Sequence, residues 1–229
     1  MPSHSAISSG MGERRETKKR ETRQRISDAA TELFVARGFD AVTLDDVAAA
    51  ANVSKMTVFN YFARKEDLML DREDELKLLP FREALRARPK GQPPMATLRG
   101  LIDRMRAQNH SFARIHPQSV AWWRVIATSQ PLQARLHELS DEAAAGLALE
   151  LAGPDPDGRA RLMASMIVLT VRIAREDAVR VLERGGSAKK ANAAFFALID
   201  RGFAAVDEVA RTAKRMPKAS RADDATDER

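Results

Sequence analysis

Apolar positions along the chain recur at helical spacing, and the alternation of period two that marks a strand is not sustained anywhere. Ile26, Ala30, Leu33 and Phe34 fall at i, i+4, i+7 and i+8, one face of a helix. Leu98, Ile102, Met105, Asn109 and Phe112 share a second face, and Asn109 is its one polar member. His116, Val120, Trp123 and Ala127 form a third, with Trp122 and Ile126 beside it. Leu132, Leu136, Leu139, Ala143 and Leu147 make a longer stripe after Pro131. Residues 159–184 are apolar nearly all round between Met163 and Val171, and residues 188–211 carry Phe195, Phe196, Ile199, Phe203 and Val206. Breakers separate these pieces: Gly38, Asn52, the Pro- and Gly-rich residues 88–94, Pro117, Pro131, Gly153-Pro154-Asp155-Pro156 and Gly185-Gly186. The pattern predicts an all-α chain, with a small N-terminal unit and a larger C-terminal one that part near residues 88–94. One helix, from Lys65 toward Leu79, is expected to cross between them until Pro80 kinks or ends it.

Within the N-terminal unit the local signals are dense. Gly38 follows Arg37 as a left-handed helix stop. Thr43 precedes Leu44-Asp45-Asp46 as a helix cap, with both carboxylates at the positive end of the helix dipole. Val47, Ala48 and Ala51 offer a small-residue face, Asn52-Val53 reads as a tight turn, and Ser54 caps a further helix from Lys55 to about Phe62. Val58 and Phe62 should point inward. Two short helices joined by a turn of about three residues make a helix-turn-helix. A plain three-helix bundle would show the same periods, and charge separates the two readings. Lys55, Arg64 and Lys65 face no acid between Ser54 and Lys65, and residues 14–25 are dominated by Arg and Lys, whereas residues 26–50 are mostly acidic. Positive charge confined to one helix and the preceding arm suits a phosphate-facing surface. Lys55, Asn60 and Tyr61, placed outward, carry donors for phosphates or base edges.

Composition narrows the alternatives. The chain has 229 residues, 44% of them hydrophobic, enough for one large domain or a small one plus a larger one. Its net charge of +6 points to a polyanionic partner. The absence of Cys excludes a disulfide framework, a thiolate nucleophile and Cys-ligated metal. No metal site or cofactor is expected. The longest apolar run is seven residues, 193–199, against about 18 for a membrane span, and the Ser-rich first 12 residues lack the apolar core of a signal peptide. No membrane association and a cytoplasmic location are therefore expected. The four His residues have no metal-binding or catalytic spacing, and no HExxH, GxSxG or phosphate-cradling Gly loop occurs, so no enzymatic activity is expected.

Residues 23–69, RQRISDAATELFVARGFDAVTLDDVAAAANVSKMTVFNYFARKEDLM, resemble the DNA-binding domain of the TetR family of bacterial transcriptional regulators. The family pattern AA-x-x-LF-x-x-x-G(Y/F), then T-x-x-x-IA-x-x-AGVS-x-x-T(L/V)Y-x-(Y/H)F-x-x-K-(E/D)-x-L, is followed from residue 29 to 68 with its spacings unbroken. Asn52 replaces the usual turn Gly, and Phe59 replaces a Tyr whose hydroxyl reaches a phosphate in many members. The resemblance implies DNA contacts from Thr43 and Ser54 at helix N-termini, from Lys55, Met56, Thr57 and Asn60 toward bases, and from Tyr61 and Lys65 toward phosphates, with Phe59 against a thymine methyl or sugar. It further implies a homodimer on a palindromic double-stranded operator, joined through helices 159–184 and 188–211. A small-molecule effector bound in the C-terminal unit would release the DNA. The alternative is a ligand-independent activator or architectural DNA-binding protein.

The expected organisation is a basic, flexible arm (1–20), a three-helix helix-turn-helix domain (21–68), a helical effector-binding and dimerisation domain (69–212) and a disordered tail (213–229). Residues assigned to an effector pocket are Met105, Asn109, Phe112, Trp122, Trp123, Ile126, Met163 and Met166, each of which reads equally as core. Of the adjacent Trp residues, one is expected to pack in the core and the other to line a cavity or meet a neighbouring helix. Ser165, Arg172 and Arg175 interrupt an apolar helix, as inter-subunit pairs or as an anchor for an anionic ligand.

Overall fold

A computed structural model describes the backbone of residues 5–212 and the side chains of 14–72 and 75–212. All regular structure in it is helical. Helix α1 (Ser5–Arg37) buries Ile26, Ala30 and Phe34 and ends where Gly38 takes φ +83° and returns its N–H to the Phe34 carbonyl. The basic residues 14–20 are an exposed extension of this helix. They were expected as a flexible arm, but no Pro or Gly lies between residues 13 and 37 to stop the helix running through them. The disorder expected for the C-terminal tail lies outside the described residues.

Helix α2 (Leu44–Ala50) opens on a capping box: Thr43 Oγ1 accepts from the Asp46 N–H, and the Thr43 N–H donates to the Asp46 carboxylate. It ends in a left-handed turn. Asn52 sits at φ +52°, its N–H bonded to Ala49 O, and Val53 donates back to Ala48 O. Helix α3 (Lys55–Tyr61) starts at once, capped by Ser54 Oγ accepting from the Thr57 N–H. Val58 and Phe62 are buried as predicted.

The crossing helix is broken. It runs only as α4 (Lys65–Met69), followed by α5 (Glu73–Leu76) and α6 (Leu79–Arg86). Side chains from other elements capture its last carbonyls: Ser27 Oγ donates to Leu68 O, and Trp122 Nε1 donates to Met69 O at 3.0 Å. Arg23 holds Asp71 at 2.8 Å just beyond. Leu78, at φ +50°, resets the chain, and Pro80 then fits the first turn of α6, where no backbone N–H is needed.

Helix α7 (Pro94–Ala107) also ends in a left-handed turn, with Asn109 at φ +50° and His110 donating to Met105 O. Asn109 is thus an exposed helix stop and not a member of the core stripe. A single 3-10 turn (Ser111–Ala113) leads to α8 (Ser119–Thr128), α9 (Gln130–Ala152), α10 (Gly158–Glu183) and α11 (Ala188–Thr212). The stripe on α9 is buried throughout.

Two apolar cores result. One joins α6, α7, α10, α11 and the second half of α9. The other joins α1–α4 with Trp122, Val125 and Ile126 of α8 and Leu132, Leu136 and Leu139 of α9. The helix-turn-helix core is therefore completed by residues more than fifty positions downstream of it.

Candidate nucleic-acid interface

Helix α3 turns Val58 inward and presents Lys55, Met56, Phe59 and Asn60 to solvent. Met56 is 68% exposed and Phe59 49%, two large apolar side chains turned toward solvent. Beside them, Lys55 Nζ lies 2.7 Å from Asp45 on α2, an exposed pair that a phosphate or base edge can displace at small cost. Thr43 and Ser54 both serve as helix caps, and Thr57 Oγ1 lies 2.8 Å from Ser54 Oγ. The Asp46 carboxyl is held below the usual carboxylate range by the Thr43 hydroxyl, then by the Thr43 backbone N–H. These hydrogen bonds favour the ionised form of the capping carboxylate.

Two expected phosphate ligands are placed differently from the rest. Lys65 is half-buried; its Nζ donates to Phe39 O at 2.6 Å and lies 4.3 Å from the centre of the Phe39 ring. It clamps the α1–α2 loop and has ammonium protons left for a phosphate. Tyr61 is half-buried, packed against the N-terminal core.

Sequence reasoning missed the side chains that hold this surface in place. Arg23 on α1 donates to Tyr61 O at 2.7 Å and to Asp71, and its guanidinium lies 4.4 Å from the centre of the Phe62 ring. It had read as one more base of the arm. Arg64 reaches Glu138 on α9 at 2.7 Å. Arg135, also on α9, binds Asp67 on α4 together with Glu138 and Glu142. Burial disfavours the Arg135 charge, but the hydrogen bonds that Arg135 donates to Asp67 and Glu138 prevail and raise its pKa further. Glu138 is lowered, first by Arg135 and then, against burial, by Arg64. A charged lattice therefore ties α4 to the downstream helices.

The residues assigned to one effector pocket are dispersed. Met105, Phe112 and Met163 are buried in the core of α6, α7, α10 and α11, and Met166 packs against it. Trp123 and Ile126 line a cavity of about 270 Å³ between α8, α9 and α10, together with His137 and Arg172. Trp122 packs in the core shared with α1–α4, and both Trp residues also border a cleft that Asn109 reaches. Arg175 is buried, Arg172 pairs with Glu176 on its own helix, and Ser165 is exposed.

Residues 26–71 match the family model described as bacterial regulatory proteins, tetR family. The chain is 35% identical over 86 residues to the HTH-type transcriptional regulator TcmR of Streptomyces glaucescens, covering 38% of each chain. It is 47% identical over 49 residues to the HTH-type transcriptional regulator SrpR of Pseudomonas putida, covering 21% of this chain and 23% of that one. These matches span at most 38% of the curated relatives' length. Among solved structures, a SmeT–triclosan complex aligns over 81% of this chain and 91% of its own with a TM-score of 0.52 and 19% identity. NalD of Pseudomonas aeruginosa, the secondary repressor of the MexAB-OprM multidrug efflux pump, aligns over 80% and 97% with a TM-score of 0.50 and 18% identity. These two establish a shared all-helical fold. The N-terminal helix-turn-helix segment is thus similar to the DNA-binding domain of the TetR family of bacterial regulatory proteins.

Proposed function

We propose that the protein is a homodimeric repressor that binds a palindromic operator with two copies of α3 and leaves it when a small molecule occupies the region downstream of residue 68. The observation that carries DNA reading is the α3 surface, where Met56 and Phe59 stand exposed between Lys55 and Asn60. Apolar side chains are costly to leave in water, and here they flank groups able to donate to guanine and to pair with adenine. The exposed basic residues 14–20 add phosphate contacts from the end of α1. Such a regulator acts on chromosomal DNA in the cytoplasm.

Dimerisation is supported by Leu162 and Leu169, 51% and 43% exposed on one side of α10. They are seven residues apart, two helical turns, so they form one stripe. Release by an effector is supported by the lattice that couples α4 to α9. The SmeT structure contains triclosan in a chain of this fold, which favours a ligand-controlled reading over a ligand-independent one. The test is selection of double-stranded DNA from a genomic library, followed by sedimentation of the complex. Two chains on one palindromic site are expected. One chain per site, or enrichment without a consensus, overturns the reading.

A further inference from the structure

Between the two cores lies a cleft of about 420 Å³ that reaches from Thr31 on α1 to Asn109 and His116 in the loop before α8. A narrower recess of about 40 Å³ continues it inward to Arg175 on α10. Cleft and recess share Arg72, Glu75, Arg114 and both Trp residues, so they form one continuous space. Three guanidiniums line it, against one carboxylate among the described residues.

The balance of these charges is unusual. Arg175 is only 7% exposed, and of its five donors one is committed to a hydrogen bond, to Phe112 O at 3.1 Å. Its remaining partners are loose. The Phe112 ring centre lies 4.5 Å away, and a single oxygen of Glu75 sits 3.5 Å from Nη1, beyond a good hydrogen bond. That same oxygen lies 3.6 Å from Arg72. Burial accordingly pushes the Arg175 pKa down, with Glu75 opposing and Arg72 assisting. Arg114 has no ion pair among the described residues, and its side chain borders the cleft beside the Trp122 and Trp123 indoles. A buried guanidinium whose only carboxylate partner is loose is costly, and a bidentate carboxylate is the group that pairs with it best.

We infer that this cleft binds a small organic carboxylate, which seats its charge on Arg175, Arg72 and Arg114 and its apolar body against Trp122 and Trp123. Glu75 is the anion that competes with that carboxylate for Arg175 and Arg72. The inference deepens the effector reading above by naming the ligand class, and rests on it for the regulatory consequence alone. The consequence follows from what Glu75 is attached to. Helix α5 continues from the segment in which Asp71 is held by Arg23 and Met69 O by Trp122. A ligand that displaces Glu75 and presses on Trp122 acts on both anchors of α4.

The two Trp residues are the only ones in the chain, so intrinsic emission reports on this cleft. Benzoate, 1-naphthoate and octanoate are each titrated against the matching neutral amide, on the full chain. At least one carboxylate is expected to shift the emission saturably and bind at least about tenfold more tightly than its amide, the size of one charged hydrogen bond. Arg114→Gln and Arg175→Gln should each weaken that carboxylate several-fold and leave the amide unchanged. Glu75→Gln, which removes the competing anion, should tighten it. Arg114 is exposed, so its variant tests the site even where Arg175→Gln fails to fold. Equal binding of acids and amides, or weaker carboxylate binding in Glu75→Gln, overturns the inference. Operator affinity is measured separately. Carboxylate binding that leaves DNA affinity unchanged supports the cleft and overturns the effector reading, and release by a neutral compound with no carboxylate bound does the reverse.

Discussion

Asn52 occupies the tightest point of the helix-turn-helix, at φ +52° with a backbone that a β-carbon resists. Asn tolerates it and Gly would relax it, so Asn52→Gly is expected to stay within about 0.5 kcal/mol of the parent, while Asn52→Ala loses about 1–2 kcal/mol. Urea unfolding of the two variants checks the order; equal losses would mean that the turn carries no strain. The surface residues divide differently. Lys55, once released from Asp45, and Asn60 are exposed and can turn toward bases, so Lys55→Ala or Asn60→Ala should cost about 1–3 kcal/mol on the selected operator and relax preference at particular positions. Lys65 is held by Phe39 O, so Lys65→Ala should weaken specific and random DNA alike and also destabilise the domain by about 1–2 kcal/mol. Binding to a library of single-base operator variants, with unfolding measured in parallel, separates these outcomes. Altered base preference in Lys65→Ala would mean that α3 is oriented otherwise.

Helices α1 to α3 were legible because their determinants are local: a capping Thr and Ser, a Gly and an Asn in left-handed stops, apolar residues four apart. The break after Met69 was not, because its causes are Ser27, Arg23 and Trp122, which lie 41, 48 and 53 positions from the groups they bind. Asn109 misled for a related reason. An Asn at helical spacing from Met105 fits a core stripe and a helix stop equally, and the exposed left-handed turn decides for the stop. The two acidic anchors of these elements, Asp46 at the α2 cap and Glu138 on α9, are both held below their ordinary pKa. A carboxyl depressed in the folded state stabilises the fold above its unfolded pKa, about 4, and loses that contribution as pH falls through the lower folded value. Stability should therefore fall on acidification below about pH 4, and the fall should be shallower in Asp46→Asn or Glu138→Gln. Thermal melts between pH 2 and 7 test this, and an unchanged acid limb in both variants would remove these carboxyls from the account.

On the scale of the whole molecule, the two cores meet along α8 and α9: α9 contributes buried residues to both, and α8 contributes buried residues to one while its Val120 and Trp123 pack against the other. This seam could not be read from the Pro- and Gly-rich residues 88–94, which break the chain without marking where the packing divides. The pair α10–α11 lies farther out, packed closely where Gly202 faces Thr170, leaving no room for a β-carbon without a shift. Its solvent side keeps Leu162 and Leu169 exposed while Ile167, Val171 and Ala174 fill the inner face. On the dimeric reading proposed above, a second copy of the same pair covers this outer side. Leu169→Glu places a charge on that outer side at a position 43% exposed in the single chain, so the fold should survive it. Helical circular dichroism and the melting temperature of the isolated chain should change little, whereas sedimentation velocity at micromolar concentration should shift from dimer to monomer. Operator affinity should then fall steeply, because each half-site is held by one α3 and the gain from binding both at once is lost. A variant that remains dimeric and binds DNA normally would place the interface elsewhere on the molecule.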